Sequence, residues 1–299
     1  MKILIIGAEP FSLLQFRGDL IKELVSLGYE VVAMANNASD TQIAKLEDYG
    51  ARYIDYPVSR TGLNPFGDIQ TLYSLLSHFR LEEPDYVLSY TIKPVIWGSI
   101  ASKFFPKLKF VGMVTGLGYA FGRGGFLRSF VRVFATALYK VALASADAVI
   151  FQNPDNRQTF VDQKLVSACK THVIQGSGVN LTYFPYSEYQ MDGRNLCFLM
   201  VARLLRDKGV REFIAAAEKV KAIHNNVDFV LVGPLDSSPD AIPLEKIIKY
   251  DRTGVISYKG AVSDVRTFMI DSSVYVLPSY HEGMPRSVLE AMSIGRNFK

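Results

Sequence analysis

With 299 residues, 49% of them hydrophobic and 21% charged, the chain has enough material for one large or two medium domains with a substantial core. A net charge of +4 is too mild to argue for nucleic acid, and Cys169 and Cys197, far apart and without C-x-x-C spacing, read as reduced thiols in a cytoplasmic protein. The apolar part of "MKILIIGAEP" is too short for a signal peptide, and "FVRVFATALYKVALASADAVIF" is cut by Arg132, Lys140 and Asp147, which argues against a spanning helix.

Strand and helix patterns alternate from the first residue. "KILIIG" is an apolar run ending in glycine, and the segment from Ser12 to Leu27 puts Leu13, Phe16, Leu20, Leu24 and Leu27 on one helical stripe. "EVVAMA", "RYIDYPV", "DYVLSY", "KFVGMVT" and "DAVIFQ" then read as strands, with a helix around Leu72 to Phe79 and a long one from about Gly125 to Ala144. Short apolar strands separated by amphipathic helices predict a parallel sheet covered on both faces.

Periodicity is lost in "GSGVNLTYFPYSEYQMDG", where Gly, Ser, Tyr and Pro dominate. The rhythm restarts with "NLCFLMVA", a helix from Lys208 to about His224, "DFVLVG", a helix near 241 to 251, "GVISYKG", a helix near 263 to 271, and "SVYVLPS". The expected architecture is therefore α/β: two Rossmann-like domains, 1–176 and 194–299, joined by a linker at 177–193 and facing a cleft. Sheets of this kind bind ligands beyond the carboxyl ends of their strands.

The motifs exclude several chemistries. "GAEPFS" lacks G-x-G-x-x-G, "GLGYAFGRGG" has the wrong spacing for it, and no P-loop is present, so hydride transfer on a dinucleotide is disfavoured. Without Asp-x-Asp or a His/Cys cluster at ligand spacing, no resident metal or other cofactor is expected.

"RLLRDKG" places Arg203, Arg206 and Lys208 between a strand end and a helix start, where cations and free N–H groups can cradle a diphosphate. A solvated basic turn explains the same residues. In "PSYHEGMPRSVLEAMSIG", Glu282 falls in the loop and Glu290 two turns on, about 12 Å along a helix at 1.5 Å per residue. Two carboxylates so spaced can accept hydrogen bonds from hydroxyls at opposite ends of a sugar nucleotide, although a plain surface helix also fits. Gly283 permits close approach of a ligand, and Pro285 suits a first helical turn. Among the histidines, His78 and His224 read as surface residues, His172 as the start of a strand, and His281 as a loop residue that could touch a ligand.

The Glu282-x7-Glu290 pattern resembles the signature of retaining GT-B glycosyltransferases of family 4. "VARLLRDKG", "LVGPLD", "YKGAVSDV" and "GSGVNLTYF" resemble further segments of that family, and "SRTGLNPF", "VTGLGYAF" and "FQNPDN" resemble its bacterial subgroup that extends undecaprenyl-diphosphate-linked sugars with N-acetylhexosamines. The resemblance runs from residue 1 to about 296 and implies a UDP-sugar donor, N-acetylgalactosamine favoured, in O-antigen, capsule or glycan assembly. It implies that Arg203 and Lys208 neutralise the departing diphosphate and that Glu282 holds the donor sugar. Gly283 and Met284 would present backbone N–H groups, Glu290 would accept the ribose hydroxyls, and Gly116 and Gly118 would let a first-domain loop approach the diphosphate. Arg60 and Lys93 are candidates for the acceptor diphosphate.

From Lys103 to Lys140, basic residues interleave with Phe104, Phe105, Phe126, Phe130 and Phe134, which suits the anionic cytoplasmic face of an inner membrane; a core-facing helix with arginines on its solvent side is the alternative. The family continues beyond the second glutamate into further strands, whereas this chain reads Gly295-Arg296-Asn297-Phe298-Lys299, so a shortened second domain with about four strands is expected. An inactive remnant and a GT-B-shaped UDP-sugar epimerase stand as alternative readings. The epimerase needs additional acid/base groups that the sequence does not identify.

Overall fold

The computed structural model describes residues 1–59, 64–116, 126–189, 195–236, 238, 240–280 and 282–298, excluding the side chains of 126–132. It divides into two units, Met1–Ser177 and Gly178–Lys299.

In the first unit, β1 (Lys2–Ile6), β2 (Glu30–Ala35), β3 (Ala51–Asp55), β4 (Tyr86–Tyr90), β5 (Lys109–Val114), β6 (Ala148–Phe151) and β7 (Thr171–Val173) form a sheet in the order β3-β2-β1-β4-β5-β6-β7. Every pairing is parallel, as between Ile5 and Ala33 or Leu88 and Val111. The helices α1 (Pro10–Ser26), α2 (Asp40–Asp48), α3 (Pro65–Glu82), α4 (Ile92–Ser102), α5 (Phe126–Leu143) and α6 (Pro154–Asp162) connect the strands. Because side chains alternate along a strand, a sheet buried on both faces needs apolar residues at every position. In β1, Leu4 and Ile6 join one core with Val32, Val87 and Phe110, while Ile5 joins the opposite core with Val31, Ala33 and Leu88. Each buried Leu, Ile, Val or Phe among these stabilises the fold by roughly 1.5–3 kcal/mol.

Local chemistry sets the helix starts. Ser39 and Gln42 form a reciprocal capping box at α2, and the Asn64 and Asn153 side chains accept from Gly67 N and Asn156 N, with a proline opening each helix. The helix expected around Leu72 to Phe79 thus extends over the whole of Pro65–Glu82.

The buried face of α1 differs from the expected stripe. Leu13 is buried, but it is joined by Arg17, Gly18 and Ile21, whereas Phe16 and Leu20 are at the margin of exposure and Leu27 is exposed. Arg17 rotates the helix because its guanidinium has partners inside: Nη1 donates to Ser177 Oγ at 2.9 Å, and the group lies 4.7 Å from the Tyr90 ring centroid. His78 is half-buried on α3 rather than a surface residue, and burial lowers its pKa.

Glu82, buried at the end of α3, receives Arg52 and Lys2. The Arg52 hydrogen bond, ahead of the desolvation that opposes it, holds its carboxyl below the ordinary range. A folded pKa below the unfolded value, about 4.3, contributes stability that is present above that value and lost as pH falls through the folded one. Glu82→Gln is therefore less stable than the parent at pH 7, and the gap narrows towards pH 3. Denaturant melts at both pH values check this, and a gap independent of pH contradicts it.

In the second unit, β8 (Leu196–Val201), β9 (Val227–Val232), β10 (Ser257–Tyr258), β11 (Val274–Tyr275) and β12 (Asn297–Phe298) form a parallel sheet in the order β10-β9-β8-β11-β12. Its helices are α7 (Val210–Lys221), α8 (Leu244–Arg252), α9 (Arg266–Asp271) and α10 (Arg286–Ile294). Met200 and Leu231 face one core, and Leu199 and Val232 the other. Five strands are present among the described residues where the sequence suggests about four; β12 is too short to carry a period.

Much of the stretch expected as a linker packs on this unit. Phe184 is buried beside Leu199, Tyr275 and Ile294, Ser187 N donates to Ile294 O at 3.1 Å, and Tyr189 Oη meets Ser273 Oγ at 2.6 Å. Its tyrosines and phenylalanine supply the apolar surface that a free linker lacks.

Candidate functional site

The strand order of the second sheet reverses direction between β8 and β11, and the loops leaving their carboxyl ends define a ligand position in open α/β sheets. The β8 loop carries Arg203 and a short 3-10 turn, Arg206–Lys208; the β11 loop carries Glu282. The two loops are bonded to one another. Tyr280 N and Ser279 Oγ both donate to Asp207 O, at 2.9 and 3.0 Å, and Tyr280 Oη donates to Glu212 Oε1 at 2.6 Å.

Gly209, at φ 77°, turns the chain from the 3-10 segment into α7, and a methyl on it would run into the Pro278 carbonyl. Gly209→Ala meets both left-handed strain and this clash, so a loss of about 1–3 kcal/mol is expected. Thermal denaturation should show a melting temperature several degrees lower; an unchanged value contradicts this account of the junction.

This stitching brings Lys208 and Glu282 together: Lys208 Nζ lies 2.5 Å from Glu282 Oε1, with both side chains about three-quarters buried. Arg203 Nη1 lies 2.7 Å from Asp236 Oδ2, on the loop after β9. Gly283 and Met284, half-buried, continue from Glu282 to Pro285, which occupies the cap position of α10 rather than its first turn. The helix begins only at Arg286, so Glu290 is its fifth residue, and the axial estimate of the Glu282–Glu290 separation does not apply across the loop. Glu290 is buried, with Arg286 Nε donating to its Oε1 at 2.8 Å. Burial, the largest influence, pushes its carboxyl above the ordinary range, and Arg286 pulls in the opposite direction.

Tyr275, in β11, is buried in the core with Ala291 and Ile294 of α10 and donates to Val201 O at 3.0 Å, tying the end of β8 to β11. Asp236, Arg286, Tyr275, Tyr280 and Glu212 are the neighbours that the sequence reading did not single out. Of these, only Arg286 stands at a readable spacing, four residues before Glu290.

In the first unit, Gly116 follows β5 with open space beside its Cα, whereas Gly118 and Arg60, like His281 of the second unit, lie outside the described residues. Lys93, on α4, is paired with Asp68 at 2.7 Å, and both side chains are largely buried. An acceptor phosphate at Lys93 would therefore compete with a carboxylate already in place. The sequence reversal in this sheet lies between β1 and β4, where Tyr56 Oη donates to Gly7 O at 2.7 Å and Tyr90 Oη meets Ser12 Oγ at 2.8 Å.

Two doubly wound parallel units of this kind define the GT-B class of fold. Sucrose-phosphate synthase from Thermosynechococcus elongatus superimposes with a TM-score of 0.74 at 16% identity, covering 100% of this chain and 80% of that one. Anabaena HepE in complex with UDP and glucose gives 0.70 at 16% identity, covering 99% and 79%.

The chain belongs to the glycosyltransferases: residues 15–176 match the "Glycosyl transferase 4-like domain" family and residues 188–297 match "Glycosyl transferases group 1". It is 32% identical over 307 aligned positions to the N,N'-diacetylbacillosaminyl-diphospho-undecaprenol alpha-1,3-N-acetylgalactosaminyltransferase of Campylobacter jejuni, an alignment covering 99% of this chain and 79% of that protein. It is also 26% identical to the UDP-Gal:alpha-D-GlcNAc-diphosphoundecaprenol alpha-1,3-galactosyltransferase of Escherichia coli, covering 83% of this chain and 65% of the relative.

Proposed function

We propose that the chain transfers an N-acetylhexosamine, N-acetylgalactosamine favoured, from a UDP-sugar to an undecaprenyl-diphosphate-linked saccharide, with retention of anomeric configuration. The product would enter O-antigen, capsule or glycan assembly in a bacterium. The observation that carries this reading is the convergence of Lys208 and Glu282, with Arg203 and Glu290 on the flanking segments, at the carboxyl ends of β8 and β11. The likeness to the Campylobacter jejuni enzyme supports the choice of donor and acceptor.

In this reading the diphosphate takes the Arg203 and Lys208 cations, which stabilise the charge that grows as the sugar leaves. Glu282 exchanges its bond to Lys208 for the hydroxyls of the donor sugar, Gly283 and Met284 offer backbone N–H groups, and Glu290 accepts from the ribose. Gly116 leaves room for a phosphate to approach the backbone, and the family resemblance gives Gly118 the same role. Arg60 and Lys93 serve the acceptor diphosphate. With two cations in that position and no Asp-x-Asp in the sequence, the transfer needs no divalent metal, so chelation by EDTA leaves the rate unchanged.

The direct test is transfer from UDP-GalNAc, UDP-GlcNAc and UDP-galactose to undecaprenyl-diphosphate carrying one N-acetylhexosamine. Transfer with UDP-GalNAc preferred supports the reading; no transfer from any of the three, or epimerisation of the donor instead, contradicts it.

The membrane part of the proposal rests on α5 and the end of α4. Phe104, Val133, Phe134 and Val141 are exposed, and Lys103 Nζ donates to Val141 O at 3.0 Å, placing a cation beside the apolar residues. No helix among the described residues is long and apolar enough to cross a membrane, so contact at the surface is proposed, on the cytoplasmic face. Replacing Phe104 and Val141 by glutamate is expected to reduce co-sedimentation with phosphatidylglycerol vesicles by at least about fivefold. Unchanged binding removes this surface from the proposal.

A further inference from the structure

We propose that Asp236 is a positioning residue, one that holds the Arg203 guanidinium ready for the donor diphosphate; the inference rests on the role given to Arg203 above. Asp236 is itself held in place before Arg203 is considered. Its Oδ1 accepts Ser238 N at 2.8 Å, fixing the carboxylate against its own turn, and its side chain is 11% exposed.

The turn is in turn fixed to the β8 loop. Gly233, at φ 152°, crosses so close to Ala202 that a methyl would strike the Ala202 carbonyl. Leu204 N donates to Pro234 O at 3.1 Å, Ile242 N to Leu204 O at 2.8 Å, and Arg206 N to Asp240 O at 3.0 Å. The described residues of the β9 loop are therefore hydrogen-bonded along the β8 loop, and Asp236 Oδ2 meets Arg203 Nη1 from that side at 2.7 Å.

Arg203 is 41% exposed, so without an anchor its long side chain samples many rotamers, and ordering it on binding costs affinity. The anchor uses one of the five N–H donors of a planar guanidinium, and the fork geometry allows others to meet phosphate oxygens. Both oxygens of Asp236 are engaged, one by Ser238 N and one by Arg203, so its charge is offset within the pair when a diphosphate arrives. Lysine cannot substitute for Arg203 here: a single ammonium cannot hold Asp236 and present a planar fork at once.

UDP is titrated calorimetrically into the parent, Arg203→Ala, Asp236→Ala, Asp236→Asn and the double variant Arg203→Ala/Asp236→Ala. The expected result is a Kd about tenfold weaker for Arg203→Ala and about fivefold weaker for Asp236→Ala, with Asp236→Asn between the parent and Asp236→Ala because the amide oxygen still accepts the N–H bond. On the Arg203→Ala background, Asp236→Ala is expected to cost less than about twofold, since the residue it positions is gone.

Equal losses on both backgrounds would mean that Asp236 merely maintains the loop, and would overturn the proposal. An Asp236→Ala variant that binds UDP as tightly as the parent, or more tightly, overturns it as well and leaves the Arg203 role standing. If Arg203→Ala itself leaves affinity unchanged, the assignment of Arg203 and this inference fall together. Should Asp236→Ala not fold, the Asp236→Asn variant on the two backgrounds gives the same cycle.

Discussion

Lys208→Ala is expected to lower kcat for sugar transfer by about a hundredfold to a thousandfold while changing the donor KM by much less. The reasoning begins with where charge develops. The leaving diphosphate gains negative charge as the glycosidic bond breaks, and a cation fixed beside it stabilises that state more than the bound donor. Removing one preorganised group of this type typically costs about 2.7–4 kcal/mol of transition-state stabilisation. Lys208 is well placed for preorganisation because it closes a 3-10 turn between two pinned points, the Gly209 junction and the Asp207 carbonyl that accepts from Ser279 and Tyr280.

Its present partner, Glu282, keeps the ammonium aligned at 2.5 Å without sealing it off, since roughly a fifth of each side chain is exposed. Lys208→Arg should recover only part of the rate, because a planar fork does not reproduce a compact ammonium in a site shaped by a single carboxylate. Steady-state kinetics with the donor varied separate the two parameters. A Lys208→Ala enzyme with parental kcat and a raised KM would mean that the residue binds donor uniformly and does not serve the leaving group.

Glu290→Gln should weaken UDP binding by about tenfold to a hundredfold and, above neutral pH, leave the fold at least as stable as the parent. A carboxylate accepting from two ribose hydroxyls makes charge-assisted bonds worth about 1.5–3 kcal/mol, and an amide is a weaker acceptor that adds a donor where none is wanted. The stability half of the prediction follows from burial. Glu290 is desolvated, which raises its folded pKa above the unfolded value of about 4.3. A raised carboxyl pKa contributes stability that is fully present below the unfolded value and is lost as pH rises through the folded value. Glutamine undergoes no such loss, and it still accepts the Arg286 bond that spans one turn of α10.

The parent should accordingly lose stability relative to Glu290→Gln as pH rises through the folded pKa of Glu290, which burial places above the unfolded value. Over the same range its UDP affinity should rise as the carboxylate ionises, while that of the variant stays flat. A variant that is destabilised at every pH would point to a purely structural Glu290.

The sheets of both units are legible in the sequence because their central strands are buried on two faces and read as unbroken apolar runs: "KILII", "EVVAMA" and "LCFLMV" correspond to β1, β2 and β8. Elements whose surroundings erase their period are not. Helix α4 buries seven of its eleven residues and carries a proline and a glycine, so no polar face marks it. The two-residue strand β12 is defined by its pairing with β11 and not by any pattern of its own, whereas β10 and β11 fall within the runs "GVISYKG" and "SVYVLPS". Arg17 defeats a simple apolar stripe on α1 because its charge is accommodated by Tyr90, Met113 and Ser177, residues 73 to 160 positions away.

The candidate site divides in the same way. Arg203, Lys208 and Glu282 stand in compact motifs on loops and Glu290 on the helix that follows one, and the family resemblance suggests the roles proposed for them. The groups that hold these segments in place come from elsewhere: Asp236, on the β9 loop, meets Arg203, and Tyr280 crosses to Glu212 on α7. Such pairings depend on the sheet order β9-β8-β11, which brings three sequence-distant loops side by side and leaves no local spacing to read.

The most direct test is a crystal structure with UDP bound. The diphosphate oxygens should lie within hydrogen-bond distance of Arg203 and Lys208, with the ribose hydroxyls on Glu290 and the Lys208–Glu282 pair opened. Nucleotide density away from the carboxyl ends of β8 and β11, or a ribose that does not touch Glu290, would contradict the account.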